Sequence, residues 1–66
     1  MEYKITVKNA DRYYMGYMVG SNKSLPGPIM QEDDAVFYAN DKQHTTITKF
    51  LNKFDMDGMR YTVEII

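Results

Sequence analysis

The sequence predicts a small α+β domain in which one amphipathic helix packs on one face of a mostly antiparallel sheet of three or four strands. Three observations support this prediction. Polar and apolar side chains alternate over residues 2–8, apolar side chains recur with helical spacing over residues 47–54, and alternation returns over residues 60–65. The predicted order is strand, strand, loop, strand, helix, strand, in a single domain that spans residues 1–66.

The alternation over residues 2–8 predicts a first strand with one face on the core. Residues 9–12 favour a turn, and residues 13–19 are rich in aromatic and apolar side chains. We therefore expect a second strand that forms an antiparallel hairpin with the first. Both faces of this second strand carry apolar bulk. Such a strand is either central and covered on both sides, or it presents one face, with Tyr14 and Met18, to a partner. The partner-binding hypothesis depends on the second alternative.

Residues 20–34 are predicted to form a long loop, because they show no periodicity and contain Pro26 and Pro28. Most connections have about 4 to 6 residues, and much longer ones are often functional. The middle of the loop, residues 25–30, is apolar, so we expect it either to pack on the sheet or to form a recognition tip. The acidic residues 32–34 at its end are either solvated or face a basic groove on a partner.

The second half of the chain is more regular. Residues 36–39 are predicted to form a short strand, Asn40 or Asp41 to cap a helix over residues 42–54, and residues 61–65 to form the closing strand. Four apolar residues share one face of the helix, at positions i, i+3, i+4 and i+7: Ile47, Phe50, Leu51 and Phe54. The sequence leaves open whether the short strand runs parallel to the closing strand or the helix joins antiparallel strands.

Composition limits the classes of function. The net charge is −1, so the molecule as a whole does not attract phosphate backbones. The chain has no cysteine, which excludes disulfides and thiolate metal sites and fits the cytoplasm. Met1 leads directly into the first strand without a signal segment, so we expect a complete, soluble, unprocessed chain. A domain of this size has a thin core and benefits from a partner.

Motifs for catalysis or metal binding fail on inspection. Residues 53–64 align with a calcium loop, but Lys53 occupies the first ligand position, and Asp57 with Gly58 is better interpreted as a turn. His44 is the only histidine and is expected to be solvated at the start of the helix. We therefore expect a non-catalytic protein that binds no cofactor and no metal.

The six tyrosines favour a protein partner over a nucleic acid. Tyrosine is enriched in protein interfaces and also stacks on bases. A platform for single strands needs Lys and Arg between its aromatic residues, whereas residues 13–19 carry no charge.

A short, cysteine-free chain rich in Tyr and Lys, with a predicted hairpin, helix and last strand, resembles the small orphan proteins of phages and prophages of low-GC bacteria. The resemblance concerns the overall style of the whole chain. It implies an inhibitor or modulator of a host enzyme or of a defence system such as a CRISPR nuclease.

Three hypotheses follow. The first and preferred one is a module that occupies a site on a larger host or defence protein. Its predicted partner-binding residues come from the second strand, the long loop and the acidic end: Tyr14, Met18, Leu25, Pro26, Ile29, Met30, Glu32, Asp33 and Asp34. The second is a homo-oligomer, such as a homodimer, that pairs through the same face or through the terminal strand ending at Ile65 and Ile66. The third is a nucleic-acid accessory protein that uses Lys4, Lys8, Lys49 and Lys53.

Overall fold

The computed structural model describes residues 1–53 and 60–66. The elements are β1 (Tyr3–Lys8), α1 (Arg12–Ser21), β2 (Ile29–Gln31), β3 (Asp34–Ala39), α2 (Asp41–Lys53) and β4 (Arg60–Ile65). The four strands form one sheet in the order β2-β3-β1-β4, and every neighbouring pair is antiparallel. The predicted α+β class is confirmed, although the described residues contain two helices instead of one.

The connectivity answers the question that the sequence left open. β1 runs antiparallel to both β3 and β4, so β3 and β4 are parallel to each other with β1 between them. In the same way, β1 and β2 are parallel and β3 lies between them. Each helix therefore connects two parallel strands that are not neighbours, which is the split β-α-β, or ferredoxin-like, arrangement.

The core lies between one face of the sheet and the two helices. Ile5 and Val7 of β1 stand opposite Phe37 and Ala35 of β3, and all four side chains are fully buried. They pack against residues of both helices, which are Tyr14, Met15 and Met18 of α1 and Ile47 and Leu51 of α2. Both helices therefore cover the same face, and we call the opposite face of the sheet the open face.

Residues 13–19 form a helix, so the predicted second strand and its hairpin with β1 are wrong. The side chain of Asp11 caps the helix by accepting a hydrogen bond from the Tyr14 N–H at 2.9 Å. Tyr14, Met15 and Met18 then share one helical face and are buried. A strand would have directed Tyr14 and Met15 to opposite faces of the sheet, so the helix buries more of this apolar surface.

The one helix that the sequence predicted is confirmed as α2, with Asp41 as its first residue. The N–H of Gln43 donates to Asn40 Oδ1 at 2.9 Å, and the N–H of Asn40 donates to Gln43 Oε1 at 2.9 Å, which is a capping box. Ile47 and Leu51 are buried as predicted, whereas Phe54 lies outside the described residues. The predicted turn at 57–58 lies outside them as well.

The predicted loop over residues 20–34 is shorter than expected, because α1 extends to Ser21, β2 covers 29–31 and β3 begins at Asp34. Of the two fates predicted for its apolar middle, packing on the domain is confirmed for Leu25, which joins the core. β2 and β3 are joined by a tight turn in which Glu32 has a φ of 57°. The closing strand is confirmed as β4.

Candidate functional site

The outer face of α1 carries two exposed tyrosines and, apart from Arg12 at the first position of the helix, no charge. Tyr13, Gly16, Tyr17 and Gly20 stand at positions i, i+3, i+4 and i+7, on the side of the helix that faces away from the core. The exposed fractions of Tyr13 and Tyr17 are 88% and 60%. We call these four residues the α1 stripe. Two exposed aromatic rings on one side of a short helix form a surface suited to an apolar partner.

A groove of about 440 Å³ runs along one side of the α1 stripe, between α1 and β2. Its lining is almost entirely apolar and consists of Arg12, Met15, Gly16, Val19, Gly20, Pro28 and Met30. We call it the α1–β2 groove. On the other side of the stripe, a smaller hollow of about 240 Å³ lies between Tyr17 and the α2 residues Phe50 and Lys53. The stripe is thus a ridge between two depressions, a shape that another helix or an extended segment can follow.

The two glycines of the α1 stripe keep the wall of the groove low. A Cβ atom placed on Gly16 or Gly20 meets no other atom within 4 Å, so neither glycine is required by internal packing. Glycine in a helix interior costs roughly 0.5–1 kcal/mol relative to alanine. Gly16 lies in the interior of α1, so an alanine there is expected to stabilise the helix without an internal clash.

Tyr14 holds the ridge in place from beneath. Its hydroxyl donates a hydrogen bond to the carbonyl oxygen of Phe50 at 2.8 Å, which ties α1 to α2. Burial, and to a lesser degree the neighbouring Tyr17, raises the pKa of the Tyr14 hydroxyl. The rings of Tyr14 and Tyr17 lie 6.4 Å apart, so the buried tyrosine also supports the exposed one.

Three of the predicted partner-binding residues lie in the core. Tyr14, Met18 and Leu25 are 9%, 0% and 7% exposed, so the prediction that Tyr14 and Met18 lie on a free face is wrong. The physical reason is that residues 13–19 are helical, and these side chains fill the space between α1 and the sheet. Pro26 is half-buried beside Leu25.

The other predicted residues lie on two different surfaces. Met30 points to the helix side and lines the α1–β2 groove, whereas Ile29 is 51% exposed on the open face. Glu32 and Asp33 are exposed at the turn between β2 and β3. This turn borders the groove, because the Nη2 of Arg12 donates to the carbonyl oxygen of Glu32 at 3.3 Å.

Asp34, the last of the predicted residues, is engaged within the domain. Its carboxylate accepts a hydrogen bond from the Lys8 ammonium at 2.9 Å, and this contact lowers the pKa of Asp34. Of the three acidic residues at this turn, Glu32 and Asp33 therefore keep carboxylates that face solvent without an ion pair to a described residue. The negative charge at the edge of the groove comes from these two.

Sequence reasoning missed the α1 stripe and the groove. A strand over residues 13–19 places Tyr13 and Tyr17 on the same face as Met15, which is buried in the structure. The signal that identifies the helix is the Asp11 cap followed by the apolar pairs 14–15 and 18–19, which recur with helical spacing.

His44 is half-buried and is therefore not fully solvated as the sequence predicted. Its ring stacks on Tyr3 with centroids 4.1 Å apart and an interplanar angle of 15°. The Tyr3 hydroxyl forms a hydrogen bond with Asp41, which lowers the pKa of Asp41 and raises that of Tyr3. The amino group of Met1 lies 3.4 Å from Asp41 Oδ2. These contacts fasten the start of α2 to the start of β1, which is a structural role.

Metal and nucleic-acid sites gain no support from the arrangement of the described residues. Within residues 1–53 and 60–66, no three His, Asp or Glu side chains form a cluster suited to a metal ion. Most of the calcium-like pattern lies outside the described residues. The four lysines of the nucleic-acid hypothesis are divided, since β1 places Lys4 and Lys8 on the open face, whereas Lys49 and Lys53 belong to α2 on the opposite side.

Comparison with known proteins adds no functional clue. No protein-family model, no curated protein and no solved structure matches this chain. Neither α1 nor α2 has the length and continuous apolar character that a membrane-spanning helix requires.

Proposed function

We propose that this chain is a non-catalytic module that binds a larger protein through the α1 stripe and the α1–β2 groove. The observation that carries the proposal is the exposure of Tyr13 and Tyr17 on the uncharged α1 stripe, next to an apolar groove. Tyrosine contributes a large contact area at a low cost in conformational entropy, and binding energy concentrates in such residues.

The surroundings of the groove define the chemistry of the partner segment. The lining is apolar apart from Arg12, so it calls for apolar side chains. The two carboxylates of Glu32 and Asp33 at the neighbouring turn outnumber this one guanidinium and favour Lys or Arg beside them. We infer that the partner presents an apolar helix or extended segment that carries a basic residue at one end. Binding then depends weakly on salt, because the apolar contacts contribute most of the affinity.

The biological setting of this binding remains a proposal from the resemblance to small phage and prophage proteins. In that setting the larger protein is a host enzyme or a defence nuclease in the cytoplasm, and the module inhibits it by occupying a functional site.

A peptide library displayed against the immobilised protein tests the proposed surface. We expect enrichment of peptides with an apolar centre and a flanking Lys or Arg. The Y13A/Y17A double variant is expected to bind these peptides at least about thirtyfold more weakly, which corresponds to the loss of roughly 2 kcal/mol at a binding hot spot. The same variants then serve as baits for capture of the partner from a cell lysate.

Tyr38 provides a matched control. It is another exposed tyrosine, 48% exposed, but it lies on the open face of the sheet. The Y38A variant is expected to bind the selected peptides as the wild type does. The proposal is contradicted if the wild type and Y13A/Y17A bind the peptides equally well and unfold at the same urea concentration. It is also contradicted if only Y38A loses binding.

A further inference from the structure

The two edges of the sheet differ in how readily another strand can be added. β2 has three residues and directly follows Pro28, whereas β4 has six residues and contains no proline. Short length and proline are among the usual protections of a sheet edge against pairing. Among the described residues, β1 is the only strand paired with β4, so no described strand covers the outer side of β4.

The hydrogen bonding of β4 shows which backbone groups face this edge. The Ile66 N–H donates to the Glu2 carbonyl oxygen at 2.9 Å, and these two residues continue the β1–β4 register by one position. In an antiparallel pair, residues bonded to the neighbour alternate with residues whose backbone groups point away from it. The N–H and C=O groups that point outward therefore belong to Tyr61, Val63 and Ile65.

We propose that β4 pairs antiparallel with β4 of a second copy of this chain, about a two-fold axis at Thr62, so that the two sheets become continuous. This register places Thr62 opposite Thr62 of the second copy, Tyr61 opposite its Val63 and Arg60 opposite its Glu64. The outward N–H and C=O groups of Tyr61 and Val63 then meet each other, as the antiparallel ladder requires. The inference is independent of the proposed function of α1.

Each cross-strand pair in this register is of a favourable kind. Threonine pairs, an aromatic residue opposite a β-branched one, and opposite charges all stabilise neighbouring strands. An axis at Val63 places Glu64 opposite Thr62 and loses both charge pairs. An axis at Glu64 places two carboxylates opposite each other, which destabilises the pairing. Charge complementarity therefore selects Thr62 as the centre.

The charges of β4 are available for this contact, although Glu64 stands opposite Lys4 within the domain without forming an ion pair with it. Within the domain, Arg60 stands opposite Lys8, a like charge, and the Lys8 ammonium is already bonded to Asp34. Neither Arg60 nor Glu64 forms an ion pair with a described residue. A carboxylate from a second copy, on the other side of Arg60, offsets the repulsion between Arg60 and Lys8.

Apolar exposure along β4 supports the same pairing. Val63 and Ile65 are directed to the helix side of the sheet, yet they are 38% and 63% exposed. Pairing brings Val63 against Tyr61 of the second copy and covers part of this surface. A domain of this size gains from such burial, because its own core is small.

Light scattering over a range of protein concentrations, combined with charge reversal, tests the proposal. We expect the wild type to form a dimer. The R60E and E64R variants each place like charges opposite each other twice per dimer, so each is expected to raise the dimer dissociation constant by at least about tenfold. K23E is the control, since Lys23 is exposed in the connection before β2 and its reversal should leave the dimer intact.

Mixing the two weakened variants gives the sharpest outcome. When R60E is combined with E64R, every reversed charge meets an opposite one, so a one-to-one heterodimer is expected at concentrations where each variant alone is monomeric. In the wild-type dimer, hydrogen exchange is expected to slow at the amides of Tyr61 and Val63. The proposal is overturned if the wild type stays monomeric at millimolar concentration, or if it dimerises with an affinity that neither reversal changes.

Discussion

Tyr14 shows how a single side chain joins the two helices. Its ring is buried with the core, and its hydroxyl donates to the Phe50 carbonyl oxygen at 2.8 Å. The ordinary pKa of a tyrosine hydroxyl is 10.0 and burial raises it further, so the Tyr14 hydroxyl keeps its proton at neutral pH and remains a donor. The residue that the sequence assigned to partner binding thus belongs to the support beneath Tyr17.

The Y14F substitution is expected to lower the free energy of unfolding by about 1 kcal/mol, because it removes this hydrogen bond and leaves the Phe50 carbonyl oxygen without that donor. Urea denaturation measures the change. Y17F removes the same atom from an exposed ring and should have a much smaller effect. Equal stability of Y14F and the wild type contradicts the assigned role of the hydroxyl.

Asp34 makes stability depend on pH. The hydrogen bond from Lys8 holds its pKa below the usual value of 3.8 in the folded state. The folded state therefore binds this proton less readily than the unfolded state, and the carboxylate stabilises the fold at pH values above 3.8. As the pH falls through the unfolded and then the folded pKa, this contribution is lost.

The D34N variant is expected to be less stable than the wild type at neutral pH, with the difference disappearing in acid below the folded pKa of Asp34. Thermal unfolding at a series of pH values measures this convergence. E32Q, at the same turn, serves as the control, because Glu32 forms no ion pair with a described residue. A D34N defect that is the same at every pH excludes Lys8 as its cause.

At the scale of elements, α1 combines a buried face with an outer face that is not optimised for stability. Gly16 lies in the interior of the helix, where alanine is favoured by roughly 0.5–1 kcal/mol, and the space beside it is open. G16A is therefore expected to raise the free energy of unfolding by up to about 1 kcal/mol. It is also expected to weaken binding of the selected peptides, because its methyl group enters the α1–β2 groove.

Urea denaturation and peptide titration of the same samples measure both effects of G16A. G27A provides the control, since Gly27 lies in the connection before β2 with equally open space and does not line the groove. It should leave peptide binding unchanged. Unaltered binding by a stabilised G16A variant argues against the groove as the site.

The elements differ in how far the sequence predicted them. β1, β4 and α2 were predicted because each has one dominant period, with polar residues on the opposite face. In residues 13–19 both faces carry tyrosine, methionine or glycine, so the sequence is equally compatible with strand alternation and with helical spacing. The aromatic residues have a high β propensity and therefore favoured the wrong prediction of a strand. The three residues of β2 are too few to show any period.

The candidate site was predicted less well than the fold, for a related reason. Exposure of Tyr13 and Tyr17 follows from the rotation of α1, and rotation depends on which residues the sheet buries. Of the residues assigned to partner binding, only Met30 lines the groove, because its register opposite Ala35 directs it to the helix side. If residues 13–19 are predicted as a strand, neither the exposure of Tyr13 and Tyr17 nor the groove beside Met30 can be predicted.

At the scale of the whole molecule, the strand order separates the two proposed surfaces. The α1–β2 groove lies beside one edge strand, and β4 is the other edge strand, with β3 and β1 between them. A dimer through β4 leaves both grooves accessible at its two ends. The Y13A/Y17A variant should therefore dimerise as the wild type does, and R60E should bind the selected peptides as a monomer.

Dimerisation through β4 also makes the stability of the fold depend on protein concentration, since a complex that forms only between folded chains shifts unfolding by mass action. For a domain of this size, each tenfold increase in concentration above the dissociation constant is expected to raise the midpoint of thermal unfolding by about 3 to 5 °C. R60E should lose this dependence and K23E should retain it. The effect requires folding and pairing to be coupled. If light scattering detects a wild-type dimer but the unfolding midpoint does not change with concentration, the contact does not stabilise the fold.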